Sequence, residues 1–318
     1  MKNLILSALV VLLFAIISLA QNNTSMTTQI GSSNSAVVDQ LGSSNTANII
    51  STGNNNKNDF QNLHAFSIPF TNPFFSIPAP MLALGITQHG KSNNASITQL
   101  WNKNYAGIAQ LGNYNLATIS QADASLSSTS YRNAWIDQIQ GDYNVAMINQ
   151  SGATDESYIK QIGGLNTALI QQNGLAVSDV IQKGNTNSLR HNQAGGVAQA
   201  QNYAYGYQIG DNNYALQNQA GINNNSLVTS FGNNNGVSGD EIRTLQTGDN
   251  NSATIEEGLL GNVSFNLASI IQNGSSNLAT IQQESGTSNV ARVSQANNNH
   301  ISHVMQTGSS NLATVNQQ

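Results

Sequence analysis

The sequence contains no cysteine, so it can form no disulfide, no thiolate metal site and no cysteine-linked lipid anchor. Charge is almost as scarce. Only 8% of its 318 residues are Asp, Glu, Lys or Arg, against about 25% in an ordinary soluble domain. The net charge is −5, spread thinly, with no basic cluster in the sequence to suggest nucleic-acid binding. Proline appears four times, at Pro69, Pro73, Pro78 and Pro80, all inside one segment. Long apolar runs are missing too, apart from Leu4 to Ile17. That run falls short of the ~20 residues a spanning helix needs. With Lys2 before it and Ser18-Leu19-Ala20 after it, residues 1–20 read as an export signal peptide.

What remains is rich in Asn, Gln, Ser, Gly and Ala, and it repeats. From residue 88 the frame is Gln88-x-Gly90-x-x-Asn93-x-Ala95-x-Ile97-x-Gln99. It continues through Gln110-x-Gly112-x-x-Asn115-x-Ala117-x-Ile119-x-Gln121. The same spacing opens the mature chain at Gln29, Asn34, Ala36 and Gln40, and returns at Gln161, Asn166 and Gln172 and at Gln272, Asn277 and Gln283. The chain closes on Gln306-x-Gly308-x-x-Asn311-x-Ala313-x-Val315-x-Gln317. An internal period decides architecture before any local motif does. It also disposes of "GITQHGKS" at Gly85–Ser92, which fits a phosphate-binding loop in letters only. A strand pattern follows it where that loop needs a helix.

The period sets the geometry. Asn, Ala, Ile, Gln and Gly stand at steps of two, so they share one face of an extended strand. Eleven is odd, so a continuous strand would flip that face, and each unit must turn a corner. The Gly-x-x-Asn step suits a turn. Two strands and two corners make a coil of 22 residues built from 11-residue half-repeats. The expected fold is therefore all-β: an amyloid-like β-solenoid of stacked two-strand coils, roughly twelve of them, about 4.8 Å apart. Ala and Ile or Val should pack dry inside. Gln and Asn should form ladders, each amide bonded to its copies above and below. The remaining positions, including the few charges, should face water.

The organisation that follows is a signal peptide over 1–20, first repeats over 21–56, a Pro- and Phe-rich insertion loop over 57–85, and a repeat solenoid over 86–318 that is looser at 175–262. The insertion holds every proline, and proline cannot donate to a ladder.

Little points to chemistry. His300 and His303 make at most a pair, where zinc needs three or four ligands. Asp240-Glu241 and Glu256-Glu257 fall near breaks in the repeat and fit charges that restrain wrong edge pairing. The expectation is a non-enzyme with no catalytic, cofactor or metal site. A soluble, non-polymerising solenoid that binds ice or another surface is the alternative. A regular outward Thr row would favour it, and the positions between Ala and Ile show none.

The unit Gln-x-Gly-x-x-Asn-x-Ala-x-x-x-Gln, at Gln29–Gln40, Gln88–Gln99, Gln110–Gln121, Gln161–Gln172, Gln208–Gln219, Gln272–Gln283 and Gln306–Gln317, resembles the curlin repeat of curli fibre subunits. The resemblance spans most of the mature chain outside the insertion. It implies a secreted subunit that polymerises with itself into extracellular functional amyloid for biofilm matrix, adhesion and cell aggregation. It further implies other curlin subunits or a nucleator, the curli secretion pore and its accessory proteins as partners. The repeat positions named above would then be the self-assembly core. The pattern departs at Ser51 and Glu257, which replace a repeat Gln, and at Trp101 and Asn297, which replace a repeat Gly. There is also no long Gly-rich leader before Gln29.

Overall fold

A computed structural model describes residues 22–56, 85–122, 131–152, 154–195, 201–236, 242–258 and 263–318. The expected signal peptide, nearly all of the Pro/Phe-rich insertion, and Asp240-Glu241 lie outside these residues. Every described element is a strand. The strands form two sheets of twelve, and successive strands along the chain alternate between them apart from one irregularity near residue 263. All pairings are parallel. In the first sheet Asn94–Leu100 lies between Thr46–Thr52 and Leu116–Gln121, with Ile49, Ile97 and Ile119 in one column. In the second, Asn104–Leu111 lies between Ile86–Lys91 and Arg132–Ile139, with Ile86, Ile108 and Ile136 aligned. The result is a β-solenoid of about 11 turns with about 22 residues per turn.

The core is the two inward faces. Ala47, Ala95, Ala117, Ile49, Ile97 and Ile119 are at most 1% exposed, as are Ala106, Ile108 and Ile136 opposite them. Each buried Ile contributes about 1.5–3 kcal/mol. Alternating Ala and Ile lets two flat sheets approach closely without voids.

The corners explain the glycines. Gly90 has φ +134°, and a Cβ there would lie 1.9 Å from the carbonyl oxygen of Gly112 on the next turn. The residue just before the repeat Asn is also left-handed, as at Ser92 (φ 56°) and Tyr114 (φ 56°). In "GITQHGKS" the chain runs from the strand Ile86–Lys91 through Ser92 and Asn93 into the strand Asn94–Leu100.

The columns stay in register across segments of very different length. Thr46 pairs with Asn94, 48 positions on, yet the columns stay aligned across the gap.

Candidate assembly core and solenoid faces

Most repeat Gln side chains form hydrogen-bonded ladders along the solenoid axis. In the second sheet Gln40, Gln88, Gln110, Gln138, Gln161, Gln182 and Gln208 each donate or accept through Nε2 and Oε1 at 2.8–2.9 Å. In the first sheet the ladder runs unbroken from Ser51 through Gln99, Gln121, Gln150, Gln172, Gln193, Gln219, Gln246, Gln272 and Gln295 to Gln317. The second N–H of each amide crosses to the other sheet: Gln110 donates to the Asn94 carbonyl at 3.2 Å and Gln121 to that of Tyr105 at 3.1 Å. Gln110 and Gln121 thus each tie together the neighbours above and below and the opposite sheet.

The Asn residues behave differently from the expectation. Their recurring bonds go to the backbone, although Asn187 and Asn213 add an amide-to-amide bond, donating to Oδ1 of Asn166 and of Asn187 at 3.1 Å. Oδ1 of Asn45 accepts from the backbone N–H of Asn93, and Oδ1 of Asn93 from that of Asn115, both at 3.0 Å. Nδ2 of Asn93 donates to the carbonyl of Gly112 at 2.8 Å. The turn frees main-chain groups that lie closer to the short Asn side chain than the next amide does, so Asn serves as a corner clamp. One corner repeats this from Asn23 to Asn311 without interruption. The other corner breaks. There Arg132 replaces Asn and donates to Oδ1 of Asn104 at 2.9 Å, and Asp155 and Ala176 fill the next two slots.

Gln88, Asn93, Ala95, Ile97, Gln99, Gln110, Asn115, Ala117, Ile119, Gln121, Gln161, Asn166, Gln172, Gln272, Asn277, Gln283 and Gln306 are all buried and inward. Gly90 and Gly112 lie half-buried in corners. At the two ends the same slots are open. Gln29 is exposed, and Asn34, Ala36, Gln40, Asn311, Ala313, Val315 and Gln317 are only half-buried, with Gly308 exposed. Among the described residues, Thr24–Ile30 pairs only with Thr46–Thr52, and Leu312–Gln317 only with Val290–Ala296.

Two features escaped the sequence reading. The first is a polar stretch of core. In the first-sheet Ile column, His191, Gln217 and Thr244 follow Ile170. Ser178 bonds His191 Nδ1 at 2.6 Å, while Ser226 accepts from Gln217 at 2.7 Å and meets Thr244 at 2.6 Å. Burial pushes His191 down to about 3, partly offset by Gln217. Gly206 lies opposite, where a Cβ would meet Leu189 and His191 side-chain atoms within 3 Å, so the larger first-sheet residues fill its space. Nearby, Ser230 and Glu257 replace Gln in the second-sheet ladder, and burial pushes Glu257 up to about 8.

The second is the outward face of the second sheet. Trp135, Asp137, Tyr158, Lys160, Asp179 and Tyr207 point away from the core, yet each is at most 6% exposed. The expectation that charges face water fails here. Lys160 and Asp137 are register partners, and the Tyr158 hydroxyl donates to Asp137 at 2.9 Å. Desolvation lowers Lys160, against the pull of Asp137. The outward Trp and Tyr residues were the signal that this face is not plain solvent surface.

The family model of the curlin associated repeat matches residues 20–56, 92–122 and 266–296. The chain carries curlin repeats. The matched segments lie on either side of the polar core stretch. No curated protein matches the sequence. Curlin repeats on a β-solenoid fit a curli-type structural subunit.

Proposed function

We propose that this chain is a secreted, non-enzymatic subunit that polymerises end to end into curli-like amyloid fibres outside the cell. These would serve as biofilm matrix and in adhesion and aggregation. Other curlin subunits or a nucleator, and a curli-type export pore with its accessory proteins, are the partners this reading implies. The supporting observation is the state of the last rung. Its Gln, Asn, Ala and Val slots match the interior ones, but they are satisfied on one side only. Gln317 accepts from Gln295 at 2.8 Å, and its Nε2 reaches back to the carbonyl of Ile301. An arriving rung of the same kind would continue both ladder and sheet, each hydrogen bond contributing about 0.5–1.5 kcal/mol net.

The test compares neighbouring substitutions on that rung. Val315→Asp places a charge in the interior column, which is strongly unfavourable once a further rung covers it. Thr314→Asp keeps its charge in water. Fibre elongation followed by amyloid-dye fluorescence should slow by roughly tenfold or more for Val315→Asp and barely change for Thr314→Asp. Equal rates would remove this rung as a growth surface. A chain that stays monomeric at all concentrations would favour the soluble binding solenoid instead.

A further inference from the structure

The two outer faces differ in charge. No first-sheet strand contains Asp, Glu or Lys, whereas Asp39, Asp137, Glu156, Asp179, Glu256 and Glu284 take outward places on second-sheet strands, beside Lys160 and Lys183. Three of the four arginines, Arg190, Arg243 and Arg292, stand on the first sheet. They occupy one outward column, in the register Arg190, Leu216, Arg243, Ser269, Arg292. All three are exposed. The fold therefore spaces them at every second rung, roughly 10 Å apart.

Beside this row lies a shallow depression of about 150 Å³, lined by Asn192, Asn218, Ala194, Ala220 and Leu245. Asn192 donates to Asn218 at 2.7 Å, which leaves Oδ1 of Asn192 buried without a hydrogen-bond partner. A hydroxyl donor placed there would satisfy it.

We propose that the first-sheet face binds a linear acidic polysaccharide bearing a carboxylate on every second sugar. Two pyranose units span about two rungs, so successive carboxylates would meet successive arginines. Hydroxyls between them would reach the Asn192–Asn218 depression. Guanidinium pairs with carboxylate in fork geometry, which suits arginine here better than lysine. Nucleic acid fits less well. Phosphates along one strand of a duplex recur about every 3.4 Å, far denser than the row. Single strands call for stacking aromatics, and Tyr214 is the one aromatic in the first-sheet strands.

The probe is a polymer alternating glucuronate and N-acetylglucosamine, titrated against the immobilised full chain. Replacing all three arginines by Gln should weaken binding about tenfold or more, and replacing them by Lys should recover part of it. Lys91, Lys103 and Lys183 changed together to Gln remove the same charge from other places, and should cost about threefold at most. Binding of the carboxyl-reduced polymer should be lost. The proposal is overturned if both triple variants lose affinity equally, if the reduced polymer binds as well, or if duplex DNA binds as tightly as the uronate polymer.

Discussion

The stretch from Ile86 to Gln172 and the stretch from Ala176 to Glu257 share one backbone and differ in what they bury. In the first, the inward columns are Ala, Ile and Gln almost throughout, with Ser157 as the exception among the Ala positions and Arg132 and Asp155 standing in the corner Asn column. In the second, His191, Gln217, Thr244, Ser178, Ser226, Ser230 and Glu257 enter the same columns. The strands stay parallel and in register through both. Backbone ladders and corner clamps therefore hold the solenoid shape, and the side chains set how tightly each rung is sealed. In the second stretch a volume-conserving change removes a hydrogen bond, whereas in the first a truncation opens a cavity.

The largest separation should come from large-to-small changes. Ile119→Ala leaves a cavity between two Ile neighbours in a dry column, and should cost about 4 kcal/mol in equilibrium denaturation of the soluble chain. Thr244→Val in the polar stretch keeps volume and removes one of the two bonds at Ser226, and should cost about 1 kcal/mol. Similar losses at both sites would show that the two stretches are sealed alike.

Protonation should separate them next. Glu257 is fully buried with a pKa raised from 4.5 to about 8. The folded chain holds that proton more tightly than the unfolded one. Stability is therefore intact below about pH 4.5 and falls as pH rises toward 8. His191 runs the other way: its folded value, about 3, lies below the unfolded 6.5. Its contribution is complete above about pH 6.5 and declines as pH falls toward 3. Glu257→Gln restores a ladder amide that needs no proton. It should stabilise the chain on the order of 3 kcal/mol at pH 7, and by little at pH 4. A gain of the same size at both pH values would place the Glu257 carboxyl in water.

The regular stretch was legible from the sequence because one residue type per slot recurs every eleven positions. Ile97, Ile108 and Ile119 could be placed inside without coordinates. The polar stretch was seen only as looser spacing. Its hydrogen bonds join Ser178 to His191 and Ser226 to Thr244 across the two sheets, and no single-strand pattern encodes such a pair. The Asn clamp was misassigned because like stacks on like at Asn as well as at Gln. Spacing says nothing about whether an amide reaches its copy or the backbone beside it. The arginine row was hidden for a related reason. Arg190, Arg243 and Arg292 are some fifty positions apart and fall into one column only when the rungs are stacked.

The smallest effect on the soluble chain should come at the last corner, and it separates a covered rung from an open one. Gly90→Ala would drive a methyl group into the Gly112 carbonyl at 1.9 Å, so the next turn must move. Gly308 has the same left-handed backbone, φ +93°, but nothing nearer than Asn311 Nδ2 at 3.8 Å. Gly308→Ala should therefore cost only about 1 kcal/mol of backbone strain in the monomer. If another rung docks on this edge as rungs dock inside the solenoid, its turn carbonyl must arrive where Gly112 sits over Gly90. The alanine methyl would then block it. The expected result is a nearly unchanged denaturation midpoint together with markedly slower elongation. An unchanged elongation rate would mean that incoming chains do not stack on the Gly308 corner with the register seen within the molecule.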